Sequence, residues 1–205
     1  FFLRRQFLTL IEKDEIRAIN RYLRPDLPVI ELGGGIGVVS CIVNQQLECP
    51  EKHIVLEADP ELLLTLEANR RLNNCRFVTE SAALGYGSDS VVLHVSEIGA
   101  SSLYKVANTN DALQVPAVSL KHILANAGLS VATLIMDIEG GEADLIEQEF
   151  VILKNHIHMI FFELHVNQIG KSRWNSVRDL LTASKFSFVE RFVDTYVYKN
   201  TRLRC

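Results

Sequence analysis

The stretch VIELGGGIGVVS, residues 29–40, runs from an apolar segment through four glycines in five positions into a second apolar segment. Glycine lets a backbone turn sharply and lets another group approach closely. Between a strand and a helix, such a loop makes the first turn of a parallel α/β sheet, where these sheets take their ligands. The constraint on fold is therefore strong: the loop needs a strand before it, a helix after it and further β–α units beside it.

Those units are present. Residues 5–23 carry Phe7, Leu8, Ile11, Ile16, Ile19 and Leu23 at mostly helical spacing, and Pro25 and Pro28 end that helix. Strands are expected at 28–32, 53–58 and 75–80, with helices at 36–47 and 60–74 between them. Residues 85–118, rich in Gly, Ser and Asn around VVLHV and LQVPAV, predict an inserted β-hairpin. Alternation resumes with a helix at 119–127, a strand at 132–138, a helix from about 141, a strand at 157–165 and a helix at 172–183. Two closing strands fill 186–200. The pattern predicts a Rossmann-like α/β sandwich, organised as an N-terminal helical segment (1–27) and one domain (28–205).

Composition narrows the class. A chain of 205 residues that is 48% hydrophobic can build one sizeable core. A net charge of -4 gives no basic stripe for nucleic acid. No run of ~18 apolar residues occurs, so no membrane span is expected. FFLRRQFLTLI is too interrupted by charge for a signal peptide. Cys41, Cys49, Cys75 and Cys205 form no CxxC pair and have no neighbouring His at zinc-ligand spacing, so reduced thiols and a cytoplasmic protein are expected, with no metal site.

Spacing within the loop bears on its ligand. A dinucleotide fingerprint begun at Gly33 or Gly35 would need its third glycine at Val38 or Ser40, and neither register fits. What remains is Glu31 followed by alternating Gly33, Gly35 and Gly37. A carboxylate there repels pyrophosphate and suits a ligand carrying an amine. S-adenosylmethionine, with an α-amino group, a sulfonium and no phosphate, fits. Glu57 at the end of the next strand, with Ala58, is placed to take the ribose hydroxyls. Ser81 and Ala82, after the third strand, are candidates for the adenine.

Acidic residues gather at two later strand ends. Asp137, Glu139 and Glu142 follow LIM, and Glu163 and His165 end MIFFELH. Glu142 and Asp144 also suit the first turn of a helix. Asp137, Glu139, Glu163 and His165 are expected at one mouth, where carboxylates would raise the imidazole pKa toward general-base duty. Asp137 is a candidate for cofactor contact as well. Ser101 and Ser102, in the inserted region, are candidates to line the acceptor side.

VIELGGGIGVVS, VLEADPELLLTLEANRRLNN, SAALG, GASSLYK, VSLKHIL, LIMDIEGGEADLI and FFELH occur in an order that resembles the FkbM-type S-adenosylmethionine-dependent methyltransferases, over residues 28 to 166. The Asp137-x-Glu139-Gly140-x-Glu142 segment is the most particular of these. The resemblance implies a class I methyltransferase sheet of seven mostly parallel strands, helices on both faces, and an antiparallel last strand. It also implies O-methylation of a hydroxyl on a sugar, glycan or polyketide-like natural product. Lys121 departs from the Leu-Asp common in the family. Two rivals remain open: a cation-dependent O-methyltransferase using Asp137, Glu139 and Glu163, and a non-catalytic binding module with the same fold. Oligomeric state is not readable from the pattern.

Overall fold

A computed structural model describes residues 12–95, 101–102, 111–165 and 169–203. In chain order the elements are α1 (Lys13–Tyr22), β1 (Val29–Leu32), α2 (Val38–Asn44), β2 (His53–Leu56), α3 (Pro60–Leu72), β3 (Val78–Glu80), β4 (Ala83–Leu84), β5 (Ser90–Val95), β6 (Ser101–Ser102) and β7 (Asp111–Val118). Then come α4 (Leu120–Asn126), β8 (Ala132–Met136), α5 (Glu142–Gln148), α6 (Phe150–His156), β9 (Ile157–Glu163), α7 (Lys171–Ala183), β10 (Phe186–Phe192) and β11 (Thr195–Asn200).

Seven strands form one sheet in the order β10-β11-β9-β8-β1-β2-β3. Its pairs from β9 through β3 are parallel, while β11 runs antiparallel between β9 and β10. Every residue of β1, β2 and β8 is buried, and so are six of seven in β9. Strands covered on both faces must be apolar throughout, which is why these segments read as continuous runs rather than alternations. One face carries the larger core around Leu134, Leu145, Ile160 and Phe162. The other packs Val29, Ile135, Phe161 and Val197 against Ala18 and Ile19 of α1. The N-terminal helix thus completes the sandwich, and Arg21 and Tyr22 tie it to Glu190 of β10.

The inserted region is the expected hairpin: β5 and β7 pair antiparallel from Ser90↔Pro116 to Val95↔Asp111. With β4 and β6 it makes a separate small sheet. Several boundaries shorten relative to the sequence reading. Phe77 is buried against the His53 ring rather than paired in a strand, so β3 starts at Val78. The helix expected from 141 breaks in two at Glu149. There the carboxylate turns inward and accepts from the Leu120 and Lys121 amides at 2.6 and 2.7 Å and from the Tyr86 hydroxyl at 3.1 Å. That buried acid supplies part of the start of α4. Residues 5–11 of the expected N-terminal helix lie outside the described residues. Cys41, Cys49 and Cys75 are free thiols, and Cys205 lies outside the described residues. No helix among the described residues is long and apolar enough to cross a membrane.

Candidate active site at the switch point

From β1 the chain builds outward through β2 and β3, then returns to add β8 on the other side of β1. The crevice above the carboxyl ends of β1 and β8 is therefore the switch point of the sheet. A cavity opens there, walled by the glycine loop, Glu31, Glu57 and Ala58, the apolar Leu62, Ala82 and Leu84, and Asp137 and Glu139.

The three alternating glycines do different work. Gly33 has φ +85°, and a Cβ there would sit 1.8 Å from the Asp137 carbonyl oxygen, so the loop passes against β8. Gly37 has φ +86°, and its Cβ would meet Leu66 of α3 at 2.6 Å, making it a packing position away from the cavity wall. Gly35 has φ +51° and nothing within 4 Å of its Cβ position. Its amide donates to Glu57 Oε2 at 2.7 Å, and the Asp59 amide donates to Oε1 at 2.8 Å. Burial raises the Glu57 pKa, while these backbone donors oppose the rise. Asp59 itself caps α3 by accepting from the Glu61 amide.

Glu31 lines the cavity but is 2% exposed, and both oxygens are engaged. Ser40 Oγ donates to Oε1 at 2.7 Å, and His53 Nε2 lies 2.9 Å from Oε2. The Asn44 side-chain amide, 3.5 Å from His53 Nδ1, donates to that nitrogen and leaves Nε2 as the donor to Glu31. Asn44 and His53 are buried polar partners that sequence reading missed. Among the adenine candidates, Ala82 lines the cavity, whereas Ser81 is exposed and outside its wall. Ser101 and Ser102 form β6 against His94 and Val95. Their side chains lie outside the described residues.

The acidic mouth assembles around His165, just beyond β9. Its Nδ1 is 3.2 Å from Glu142 Oε1, and its Nε2 is 3.4 Å from Glu139, 3.6 Å from Asp137 and 3.9 Å from Glu163. Sequence reading placed Glu142 in the first turn of a helix. It does begin α5, but it is 1% exposed and also accepts from the Ile138 amide at 3.1 Å. Glu139 takes φ +51° at the β8 turn, a conformation uncommon for a residue with a side chain. Burial pulls the His165 pKa down, but the Glu142 hydrogen bond and the charges of Glu142, Asp137 and Glu139 outweigh it and carry it to about 9. Burial and then Glu163 push Asp137 well above the ordinary carboxylate range, to about 8. A third of that side chain remains exposed, on the side where Asp137 lines the cavity. Asp137 Oδ1 and Glu142 Oε2 are buried without a hydrogen-bond partner.

A model of the methyltransferase FkbM domain matches residues 31–199. The chain belongs to this family. Solved structures agree on the fold. A precorrin-6y C5,15-methyltransferase from Geobacter metallireducens is 10% identical, with TM-score 0.53, over 92% of this chain and 85% of that one. The Aeropyrum pernix fibrillarin, solved with natively bound S-adenosyl-L-methionine, is 8% identical, with TM-score 0.51, over 91% and 73%. No protein of curated function matches the sequence. The FkbM chain thus has a class I methyltransferase sheet, with its acidic residues and glycine loop at the switch point.

The cavity suits the family's cofactor on its own features. Gly35 leaves open space beside the loop, Glu57 presents oxygens fixed by two amides, and apolar side chains face them. Asp137, Glu142 and His165 also lie close enough, within 4.8 Å of one another, to hold a single cation.

Proposed function

We propose that this FkbM-family chain is an S-adenosylmethionine-dependent O-methyltransferase acting on a hydroxyl of a sugar, glycan or polyketide-like natural product. One observation carries the reading: the glycine loop with Glu57 lines the same crevice as Asp137 and Glu139, the two acids that face His165. When bound, S-adenosylmethionine supplies a methyl group made electrophilic by its sulfonium. The backbone of Gly33 to Gly35 would bed the cofactor, Glu57 would accept its ribose hydroxyls, and Ala58 and Ala82 would flank the adenine.

The remaining task is positioning and deprotonation. Alignment of the reacting groups can supply on the order of 7–11 kcal/mol. An alcohol is a poor nucleophile, so a base adds roughly 10²–10⁴-fold. His165 is protonated at neutral pH and held between carboxylates, so the proton acceptor in this reading is Asp137. An acid with its pKa near working pH pairs availability with driving force. His165 holds that carboxylate in place, with Glu139 and Glu163 completing the mouth. Turnover should then rise with pH toward about 8 and fall as His165 loses its proton near 9.

Calorimetry with S-adenosylmethionine on wild type, Glu57→Ala and Gly35→Val tests the cofactor. Formation of S-adenosylhomocysteine with a panel of glycans and hydroxylated natural products tests the acceptor. Micromolar binding lost in both variants, and turnover with a hydroxyl acceptor, supports the reading; no binding by folded wild type refutes it. The cation-dependent alternative draws on the Asp137, Glu142 and His165 grouping. Turnover abolished by a chelator and restored by magnesium would favour it.

A further inference from the structure

The cavity wall includes two acids that belong to no motif: Glu12 and Glu15, at the start of α1. Both precede the stretch that matches the family, residues 31–199. Acids in a first helical turn usually sit in solvent, where the helix dipole favours them. Glu15 does not. It is 5% exposed and lies one turn before Ala18 and Ile19 on the face that packs against the sheet. Among the described residues it has no hydrogen-bond or ion-pair partner, although it borders the cavity. Glu12 accepts from the Val39 amide, while its Oε2 is buried without a partner.

A buried, unpaired carboxylate costs folding free energy that a leucine at the same place would not. Such a group persists where a ligand supplies its partner. Glu15 feels the charges of Asp137, Glu31, Glu12 and Glu163, and the cavity-lining residues include no Lys, Arg or His among those described. Burial and then those charges hold the Glu15 carboxyl well above the ordinary carboxylate range, and a cation entering the cavity is the partner that would favour its ionised form. Of the other acids along the wall, Glu31 is engaged by Ser40 and His53, Glu57 by two backbone amides, and Asp137 and Glu139 face the His165 imidazole at ion-pair distances of 3.6 and 3.4 Å. Glu15 lines the same cavity as the glycine loop and the residues that follow β8, with no such partner among the described residues.

We infer that Glu15, assisted by Glu12, receives the α-ammonium group of the cofactor's methionine moiety, which makes the N-terminal helix a wall of the cofactor site. The inference rests on the S-adenosylmethionine reading above. It moves the amine-binding role from Glu31 at the end of β1 to a helix that sequence reading treated as a separate segment.

Two probes separate this inference from the reading beneath it. S-Adenosylhomocysteine carries the ammonium with a neutral sulfur; 5′-methylthioadenosine keeps the nucleoside and lacks the amino acid. Wild type, Glu15→Gln, Glu12→Gln and Glu57→Ala are titrated with both by calorimetry. Glu15→Gln should weaken S-adenosylhomocysteine at least tenfold and leave 5′-methylthioadenosine within twofold of wild type. Glu12→Gln should show the same selectivity with a smaller loss, and Glu57→Ala should weaken both ligands. Unchanged S-adenosylhomocysteine affinity in Glu15→Gln overturns the inference and leaves the cofactor reading standing. Parallel loss of both probes in that variant also overturns it, because 5′-methylthioadenosine then reports a structural role. Binding of neither probe by wild type would refute the cofactor reading, and the inference with it.

Discussion

Glu142→Gln keeps the shape of a fully buried side chain and removes the charge 3.2 Å from His165 Nδ1. The His165 pKa stands at about 9 against an ordinary 6.5, a rise equivalent to roughly 3 kcal/mol of preference for the protonated ring. Burial acts in the opposite direction, so the carboxylates together contribute more than that net figure. Glu142 supplies the leading favourable contributions, by hydrogen bond and by charge. Without them only Asp137 and Glu139 oppose burial, and the His165 pKa should fall from about 9 back toward the ordinary 6.5. Because the folded value lies above the unfolded one, the imidazolium stabilises the fold fully below pH 6.5. That contribution is lost as pH rises through about 9. The variant should therefore lose roughly 2–3 kcal/mol of stability at pH 7 and almost none at pH 10. Histidine NMR titration, with His165→Asn to assign the resonance among six histidines, gives the midpoint. Urea unfolding at the two pH values gives the energy. A His165 midpoint that stays above about 8 in Glu142→Gln would refute the reasoning.

The site also sets several stability differences. Burial and the charges of Glu31 and Glu163 raise Glu12 from 4.5 to about 7, so its ionisation costs the fold as pH climbs from 4.5 through 7. Glu12→Gln should stabilise the ligand-free protein by up to ~3 kcal/mol at pH 8 and leave it unchanged at pH 4, read from urea midpoints at each pH. Gly33→Ala drives a Cβ into the Asp137 carbonyl at a left-handed position and should cost about 3 kcal/mol or more in thermal unfolding. Gly35→Ala, with open space at its Cβ, should cost only about 1 kcal/mol while weakening S-adenosylmethionine in calorimetry. Equal destabilisation of the two glycine variants would contradict the geometry. Glu149→Ala strips the acceptor from two amides and the Tyr86 hydroxyl, and should cost about 3–5 kcal/mol in chemical unfolding; a loss under 1 kcal/mol would not fit.

Local pattern was enough for the architecture. Runs such as ATLIM and IHMIFFE declare strands covered on both faces, and Pro60 behind Asp59 declares a helix start, because burial and capping act over a few residues. The glycine loop and the acidic strand ends could be placed at the carboxyl edge of the sheet for the same reason. What the loop's neighbours do was not local. Glu31 is engaged by Ser40 and by His53, 9 and 22 residues away, and nothing in VIELGGG records that its carboxylate is already satisfied. Glu142 looked like an ordinary helix-start acid until the fold set it against His165, 23 residues on. Glu15 shows the limit most clearly. Sequence periodicity makes α1 a helix, but which of its faces meets the cavity depends on how it docks across β9, β10 and β11. Secondary structure follows from interactions between near neighbours. The partners of a buried charge are chosen by packing across the sheet, and packing exists only in the folded chain.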